Sequence, residues 1–334
     1  MTTPSNDASK SPRKLIILIA VLALFVIGIS IALLVLKGEE EIYEEYVDDF
    51  FREGLANLTL VKTAGYDFSI IGTISVLPNS NSSYNFEELD VEGALVGAYD
   101  VTDAENPLFS LSFDLSLDSD GKGTETVKGE LRFAEEILHF ILSEITDFEG
   151  SVPLDVLEPF IGKWWNMSFS NEGLLNMFKI YKDEESMTPE EKELKELFSQ
   201  TNIFKDVEFV GVEEVSGVSA RKYSASLNSR AFVDYMVKSG EITEEPLSEE
   251  DLAEISMFVD NVDLEGHIWI GEDDVIFRKY SGKMMGEDFA EELEGLAVEF
   301  EIHYDLFDIN EDVNIDPPEE SDTFDLLKLL ELAA

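Results

Sequence analysis

Three histidines are the side chains of this chain best suited to acid–base chemistry near neutral pH, and they are far apart in the sequence. His139 lies in an apolar run, whereas His267 and His303 fall on the polar side of alternating segments. The sequence contains no Cys, no G-x-S-x-G elbow, no Ser/Lys signature and no P-loop. Among 72 Asp and Glu residues, no pair stands out as a general acid and base. We therefore expect no catalytic residues and no enzymatic activity.

Clustered oxygen ligands for calcium are the other chemistry that this composition could supply. Asp118-x-Asp120-Gly121 resembles part of an EF-hand loop, but Ser116 holds the first ligand position and Val127 the twelfth. A turn between two strands explains these residues better. A second segment alternates oxygen-bearing side chains, namely Asp308, Asn310, Asp312, Asn314 and Asp316. Loose surface acidity is the simpler interpretation of that segment, so we expect no metal site and no cofactor.

Acidic charge dominates the composition. The 72 acidic residues against 23 basic ones give a formal net charge of -49. Such a surface repels the phosphate backbone, so we expect no nucleic-acid partner. The chain is also 44% apolar and contains 23 Phe, which is enough to bury a core. We interpret the charge as the solvated surface of a folded domain.

Residues 15–36 form an uncharged apolar run, LIILIAVLALFVIGISIALLVL. A helix of this length extends about 33 Å, which matches a hydrocarbon core of about 30 Å. The run therefore predicts a transmembrane signal-anchor helix and the bilayer as a partner. The alternative is a signal peptide that is cut after Ala32, in the small-x-small sequence Ser30-Ile31-Ala32.

The charges that flank this run predict its orientation. Arg13 and Lys14 precede it, and three consecutive Glu, 39–41, follow Lys37. Because basic residues stay on the cytoplasmic side, residues 1–14 are expected to form a cytoplasmic tail. The prediction is a single-pass protein of the cell membrane whose C-terminal domain lies outside the cytoplasm.

The segment after the anchor combines an acidic face with an apolar stripe at helical spacing. The stripe consists of Ile42, Tyr46, Val47, Phe50, Phe51, Leu55 and Leu58. This pattern predicts an acidic juxtamembrane amphipathic helix within residues 38–64 that packs on the following domain.

Residues 107–118 and 127–133 alternate apolar and polar side chains, which is typical of two paired strands. A three-residue loop containing Gly121 matches their apolar faces when paired residue numbers sum to 242. This register places Leu115 opposite Val127, Phe113 opposite Gly129, and Asp114 opposite Lys128.

Further strand signals fill most of the remaining chain. They lie near 66–76, 84–101, 137–145, 163–167, 204–214, 218–228, 262–271, 274–285 and 294–308, with helices near 229–239 and 248–259. Two antiparallel meanders joined by helices near 170–203 predict an α+β fold with one wide curved sheet over residues 65–318. After Pro317 and Pro318, an amphipathic helix is expected at 319–334.

The order of these elements resembles the LolA-like lipoprotein-carrier superfamily, in the style of LppX/LprG-type bacterial surface proteins. The resemblance covers about residues 65–330, through "GKWW", "FVGVEEVSGVSARKYSASL", "VDLEGHIWIGEDDVIFRKYSGKM" and "DINEDVNIDPPEESDTFDLL". It implies a half-barrel sheet whose concave apolar face holds acyl chains under covering helices. This chain lacks the lipidated Cys of that family, and the predicted transmembrane helix would take over the anchoring role.

Two apolar rows are the candidate lining of such a cavity. They are Phe109, Leu111, Phe113 and Leu115 in one strand, and Val298, Phe300, Ile302 and Tyr304 in another. Periodicity does not separate a hollow face from a filled core. The expected function is therefore binding of a lipid or other hydrophobic ligand, and the alternative is a non-enzymatic interaction or sensory domain with a filled core.

Overall fold

A computed structural model describes most of the domain that follows the predicted anchor. The described residues are 49–78, 86–103, 106–119, 123–146, 158, 161–168, 189, 192–193, 197, 201–242, 248–288 and 295–324. Within these ranges, no helix is long and apolar enough to cross a membrane. The predicted tail 1–14, the predicted transmembrane helix 15–36 and residues 38–48 lie outside the described residues.

One mostly antiparallel sheet of 12 strands forms the domain. The strands are β1 (Thr63–Val76), β2 (Glu88–Asp100), β3 (Leu108–Ser119), β4 (Gly123–Ala134), β5 (Ile137–Thr146), β6 (Trp165–Ser168), β7 (Phe204–Val215), β8 (Val218–Leu227), β9 (Val262–Gly271), β10 (Phe277–Glu287), β11 (Leu296–Phe307) and β12 (Asp322–Thr323). Their order is β12-β6-β5-β4-β3-β2-β1-β11-β10-β9-β8-β7, so the sheet is open, with β12 and β7 at its edges.

Two meanders build this sheet, and the pairing of β1 with β11 joins them. The described helices are α1 (Asp49–Ala56), α2 (Ser229–Ile242) and α3 (Glu249–Asn261), and a short 3-10 turn, Asn57–Leu60, follows α1. The prediction of an α+β domain with one large, mostly antiparallel sheet is confirmed, and its open form is consistent with a half-barrel. Most of the predicted linker 170–203 lies outside the described residues.

The β3–β4 hairpin adopts the predicted register. Phe113 lies opposite Gly129, Asp114 opposite Lys128, and Leu115 opposite Val127. Asp114 and Lys128 form an ion pair of 2.8 Å on the polar face of the sheet. Because the side-chain period of a strand is two residues, the hydrophobic pattern allows only registers that match the two apolar faces, and the three-residue loop selects this one.

The predicted juxtamembrane helix, 38–64, ends earlier than expected. The α-helix stops at Ala56, and the sheet begins at Thr63 rather than at residue 65. The Asn57 side chain donates a hydrogen bond of 3.0 Å to the carbonyl of Val275 in the β9–β10 turn. This contact and the turn closed by Val61 N–H and Leu58 O, at 3.1 Å, redirect the chain into β1.

The prediction of a helix at 319–334 is wrong for its first residues. Asp322 and Thr323 form β12, which pairs parallel to β6. This is the one parallel pairing among the described strands. Phe324 N–H donates to Asn166 O at 2.8 Å, and the Phe324 ring packs 6.2 Å from Trp165. Hydrogen bonds to the outer edge of β6, which would otherwise be unpaired, form here in place of the hydrogen bonds of a short helix. Residues 325–334 lie outside the described residues.

The main core lies on one face of the sheet, beneath α1. We call this side the apolar face; it carries Phe68, Phe113 and Phe300. Phe51 of α1 is 1% exposed, and its ring packs 5.2 Å from Tyr223 of β8, between centroids. The amphipathic stripe of α1 thus covers the β8–β9 side of the sheet.

Candidate ligand-binding face

The strand register brings both candidate rows onto the apolar face. Phe113 of β3 lies opposite Leu95 of β2, which lies opposite Phe68 of β1, and Phe68 lies opposite Tyr304 of β11. Opposed residues in an antiparallel ladder point to the same side of the sheet. The two rows therefore share one continuous surface and are separated by β1 and β2.

Burial distinguishes the two rows. Val298, Phe300, Ile302 and Tyr304 are 4%, 1%, 3% and 9% exposed, so β11 belongs to a filled core. Phe109, Leu111, Phe113 and Leu115 of β3 are only half-buried. A continuous apolar face is thus filled at one end and remains accessible at the other. The role of these residues in binding stays a prediction.

The accessible region continues onto β4 and β5. Leu131 of β4 lies opposite Leu111 of β3 on one side and Phe140 of β5 on the other, and both Leu131 and Phe140 are half-buried. We call Leu111, Phe113, Leu115, Leu131 and Phe140 the open patch. Carboxylates such as Asp114 alternate with these residues and fall on the opposite face.

Tyr66 marks the boundary between the filled core and the open patch. Its hydroxyl donates a hydrogen bond of 2.8 Å to Ser110 O of β3, and its ring stacks on Phe109 with centroids 6.1 Å apart. Burial raises the pKa of Tyr66 above its ordinary value, and Tyr304 adds to the effect. The phenol therefore stays neutral and keeps donating to β3, which holds Phe109 at the edge of the core.

Glycines let large side chains lie close to the strands at the open patch. A Cβ on Gly129 would overlap the ring of Phe113, and a Cβ on Gly93 would lie 2.9 Å from Ile70 and 3.1 Å from Leu115. Phe113 thus rests directly over the backbone of β4. This arrangement keeps the apolar surface close to the strand backbones.

Gly129→Ala is expected to lower the free energy of unfolding by about 1–3 kcal/mol, because the new methyl group would overlap both the backbone carbonyl oxygen of Ile141 in β5 and the ring of Phe113. Gly211→Ala is the matched control in β7, since no heavy atom lies within 4 Å of a Cβ built there. Urea unfolding of both variants measures the difference. Equal effects of the two substitutions would contradict the close packing of Phe113 and Ile141 around Gly129.

The histidines occupy the polar face, opposite the open patch. His267 of β9 and His303 of β11 both lie opposite Ser281 of β10, so they flank one serine in a single row. The sequence did not reveal this row, because the register of three strands, β9, β10 and β11, decides which residues lie side by side in it. Their Cα atoms are two interstrand spacings apart, about 10 Å. No group of His, Asp and Glu within the described ranges could hold a metal ion.

His139 is buried on β5, between Arg132 of β4 and Asn166 of β6 in the register. Burial lowers the pKa of His139; Glu135 opposes the shift and Arg132 adds to it. The imidazole therefore stays neutral at neutral pH.

Trp269 is 5% exposed on the polar face and is held by charged neighbours. Its Nε1–H donates to Glu213 at 3.0 Å, and the Lys222 ammonium lies 4.9 Å from the ring centroid. Hydrogen bonds from Trp269 and Lys222 lower the pKa of Glu213. These mutually satisfied groups form a structural ladder that stabilises β7–β9.

In comparisons with known proteins, the chain shows similarity to solved structures alone. No family model and no curated protein matches the chain. The chain is similar to lipoprotein LppX from Mycobacterium tuberculosis, with 12% identity and a TM-score of 0.31 over 80% of this chain and 96% of that chain. It is similar to LprF from Mycobacterium bovis, with 9% identity and a TM-score of 0.35 over 81% and 95%. A β-barrel-like protein of DUF1849 from Brucella abortus gives 9% identity and a TM-score of 0.23 over 74% and 100%. At these identities and TM-scores, the likenesses do not bear on the site.

Proposed function

We propose that this protein is a membrane-anchored, extracytoplasmic domain that binds a lipid or other hydrophobic ligand at the open patch, without catalysis. The observation that carries the proposal is the change in burial along one apolar face. Phe300 of β11 is 1% exposed, whereas Phe113 and Leu115 of β3 are half-buried. An apolar surface that the domain leaves partly uncovered is available to an apolar ligand.

The chemistry of the open patch suits an acyl chain. Its five side chains are aliphatic or aromatic, and the neighbouring charged groups, such as Asp114 and Lys128, pair with each other on the other face. Each methylene transferred from water to such a surface contributes about 0.8 kcal/mol. A fully buried chain of about ten methylenes would therefore gain about 8 kcal/mol, against an association cost of about 4 kcal/mol or more.

The anchor and the localisation are part of the same proposal. Residues 15–36 would hold the domain at the cell membrane, with residues 1–14 in the cytoplasm. A tethered domain of this kind would reach ligands in the nearby envelope. Protease treatment of intact cells tests this topology: digestion of the acidic domain supports it, and protection of the domain contradicts it.

Leu115→Trp is expected to weaken uptake of a fluorescent fatty acid by residues 38–334 about tenfold. The larger ring would displace about two methylenes of the ligand, at about 0.8 kcal/mol each. Ile71→Trp is the control, because Ile71 is 51% exposed and on the polar face. Uptake is measured by fluorescence titration.

Equal uptake by the two variants would place the ligand elsewhere. Absence of uptake by every protein, including the wild type, would favour the alternative function, a non-enzymatic interaction or sensory domain with a filled core.

A further inference from the structure

One row of paired residues on the apolar face runs from the open patch to the β12 edge of the sheet. Leu111 of β3 lies opposite Leu131 of β4, and Leu131 lies opposite Phe140 of β5. Phe140 lies opposite Trp165 of β6, and Trp165 pairs with Asp322 of β12. From Leu111 to Trp165 the row crosses three interstrand spacings, about 14 Å. Its side chains thus change from aliphatic through aromatic to charged.

Aromatic rings extend the open patch towards this edge. The Phe324 ring centroid lies 5.2 Å from that of Phe140 and 6.2 Å from that of Trp165, and both contacts are edge-to-face. All three side chains are half-buried. Trp is common where apolar surface meets water, because its ring is apolar and its N–H is polar. The three rings therefore mark the place where an apolar ligand on this face would meet solvent.

A lysine lies at the charged end of the row. The Lys163 ammonium is 4.7 Å from the centroid of the Trp165 ring, and it pairs with the Asp322 carboxylate. Both charged side chains remain accessible, at 48% and 58%. An exposed ion pair of this kind holds its partners weakly, and an ammonium has three N–H donors. Lys163 can therefore bind a second anion beside Asp322 or in its place.

The position of Lys163 sets it apart from the cations of β4. Lys128 and Arg132 lie on the polar face, where they pair with Asp114 and Glu130. The net charge of -49 repels a free anion in solution. An anion joined to an acyl chain gains apolar contact as well, and salt screens the more distant carboxylates beyond about 8 Å. Lys163 thus favours an anion that carries an apolar chain over a small anion.

We propose that the ligand of the open patch is an amphiphile with a carboxylate or phosphate head group. Lys163 binds the head group, and the acyl chain lies along Trp165, Phe140 and Leu131 towards β3. The two head groups share one chemistry, because each offers anionic oxygens to an ammonium. This inference rests on the proposed function and adds the charge of the ligand and its direction on the sheet.

Fluorescence titration of the full chain in nanodiscs, with the signal of empty nanodiscs subtracted, compares a fluorescent fatty acid with its uncharged methyl ester. Lys163→Gln is expected to weaken binding of the acid about fivefold and to leave binding of the ester unchanged. Lys128→Gln is the matched control, since it removes the same charge from the polar face. Asp322→Asn should strengthen binding of the acid about threefold, because it frees Lys163 and keeps the 3.0 Å bond from Asp322 N–H to Trp164 O.

The outcomes separate the head-group proposal from the proposed function. Equal losses of acid and ester binding in Lys163→Gln, or no loss of either, would overturn the head-group proposal and leave the open patch as the binding site. Failure of the wild-type chain to bind any probe would overturn the proposed function as well. Lysophosphatidic acid with the same chain distinguishes the two head groups, since the better match shows the larger loss in Lys163→Gln.

Photoreactive fatty acids test the direction of the ligand independently of its affinity. A diazirine near the carboxylate is expected to label peptides of β6 and β12, and a diazirine at the far end of the chain should label β3 and β4. Mass spectrometry of the digested full chain locates the labels. A reversed pattern, or the same peptides labelled by both probes, would overturn the proposed direction.

Discussion

Phe300→Ala is expected to lower the free energy of unfolding by about 3–5 kcal/mol, whereas Phe113→Ala should cost about half as much. Phe300 is 1% exposed within the core, so its removal leaves a cavity. Phe113 is half-buried on the same face, so its removal exposes less new surface and creates a smaller void. Urea unfolding of residues 38–334 measures both values.

The same two variants separate stability from binding. Folded Phe300→Ala protein should keep its uptake of a fluorescent fatty acid, because the residue lies outside the open patch. Phe113→Ala should lose uptake while it remains folded. Equal losses of stability in the two variants would mean that the β11 and β3 rows are packed alike, and the distinction that locates the ligand would be lost.

Asp274→Ala is expected to lower the free energy of unfolding by about 3 kcal/mol, at the low end of the range for buried ion pairs because Asp274 is partly exposed. Arg278 is 7% exposed, at a register shift of β10, and its guanidinium pairs with the Asp274 carboxylate. The substitution leaves a buried cation without its counter-charge. Asp274 Oδ1 also accepts a hydrogen bond of 3.3 Å from Ile276 N–H, which shapes the β9–β10 turn.

Asp114→Ala is the matched control for this ion pair. It removes the nearer of two carboxylates that pair with Lys128, and Glu144 remains at 3.8 Å. The Asp114 and Lys128 side chains are well exposed, at 47% and 39%, so the cost should be below about 1 kcal/mol. Adding Arg278→Met to Asp274→Ala should recover much of the lost stability, because it removes the unpaired charge. A cost for Asp274→Ala no greater than that for Asp114→Ala would contradict the importance of the buried pair.

The strands were predictable because a period of two residues is a local signal. The β3–β4 register followed from one loop glycine and the requirement that Phe113 and Leu115 face the core. By contrast, β12 was missed, since Asp322 and Thr323 gain their strand conformation from hydrogen bonds to a distant strand, β6. No pattern within residues 319–334 carries that information.

The sequence predicted which residues of the candidate site point to the apolar side of their strands, but not how deeply each row is buried. Alternation placed Phe113 and Phe300 on apolar sides of their strands, and the register put both on one surface. Whether such a row is filled depends on what packs above it, which the sequence of the strand does not encode. The row formed by His267, Ser281 and His303 was missed for a related reason, because it depends on two successive strand pairings.

Native mass spectrometry with lipid extraction tests the central claim most directly. Residues 38–334 would be purified from a host with membranes, so that the open patch can acquire its ligand. The account predicts a near-stoichiometric acyl ligand on the wild-type protein and on Ile71→Trp, and much less on Leu115→Trp. A clean apo mass for the wild type, together with no uptake of a fluorescent fatty acid, would contradict ligand binding at the open patch.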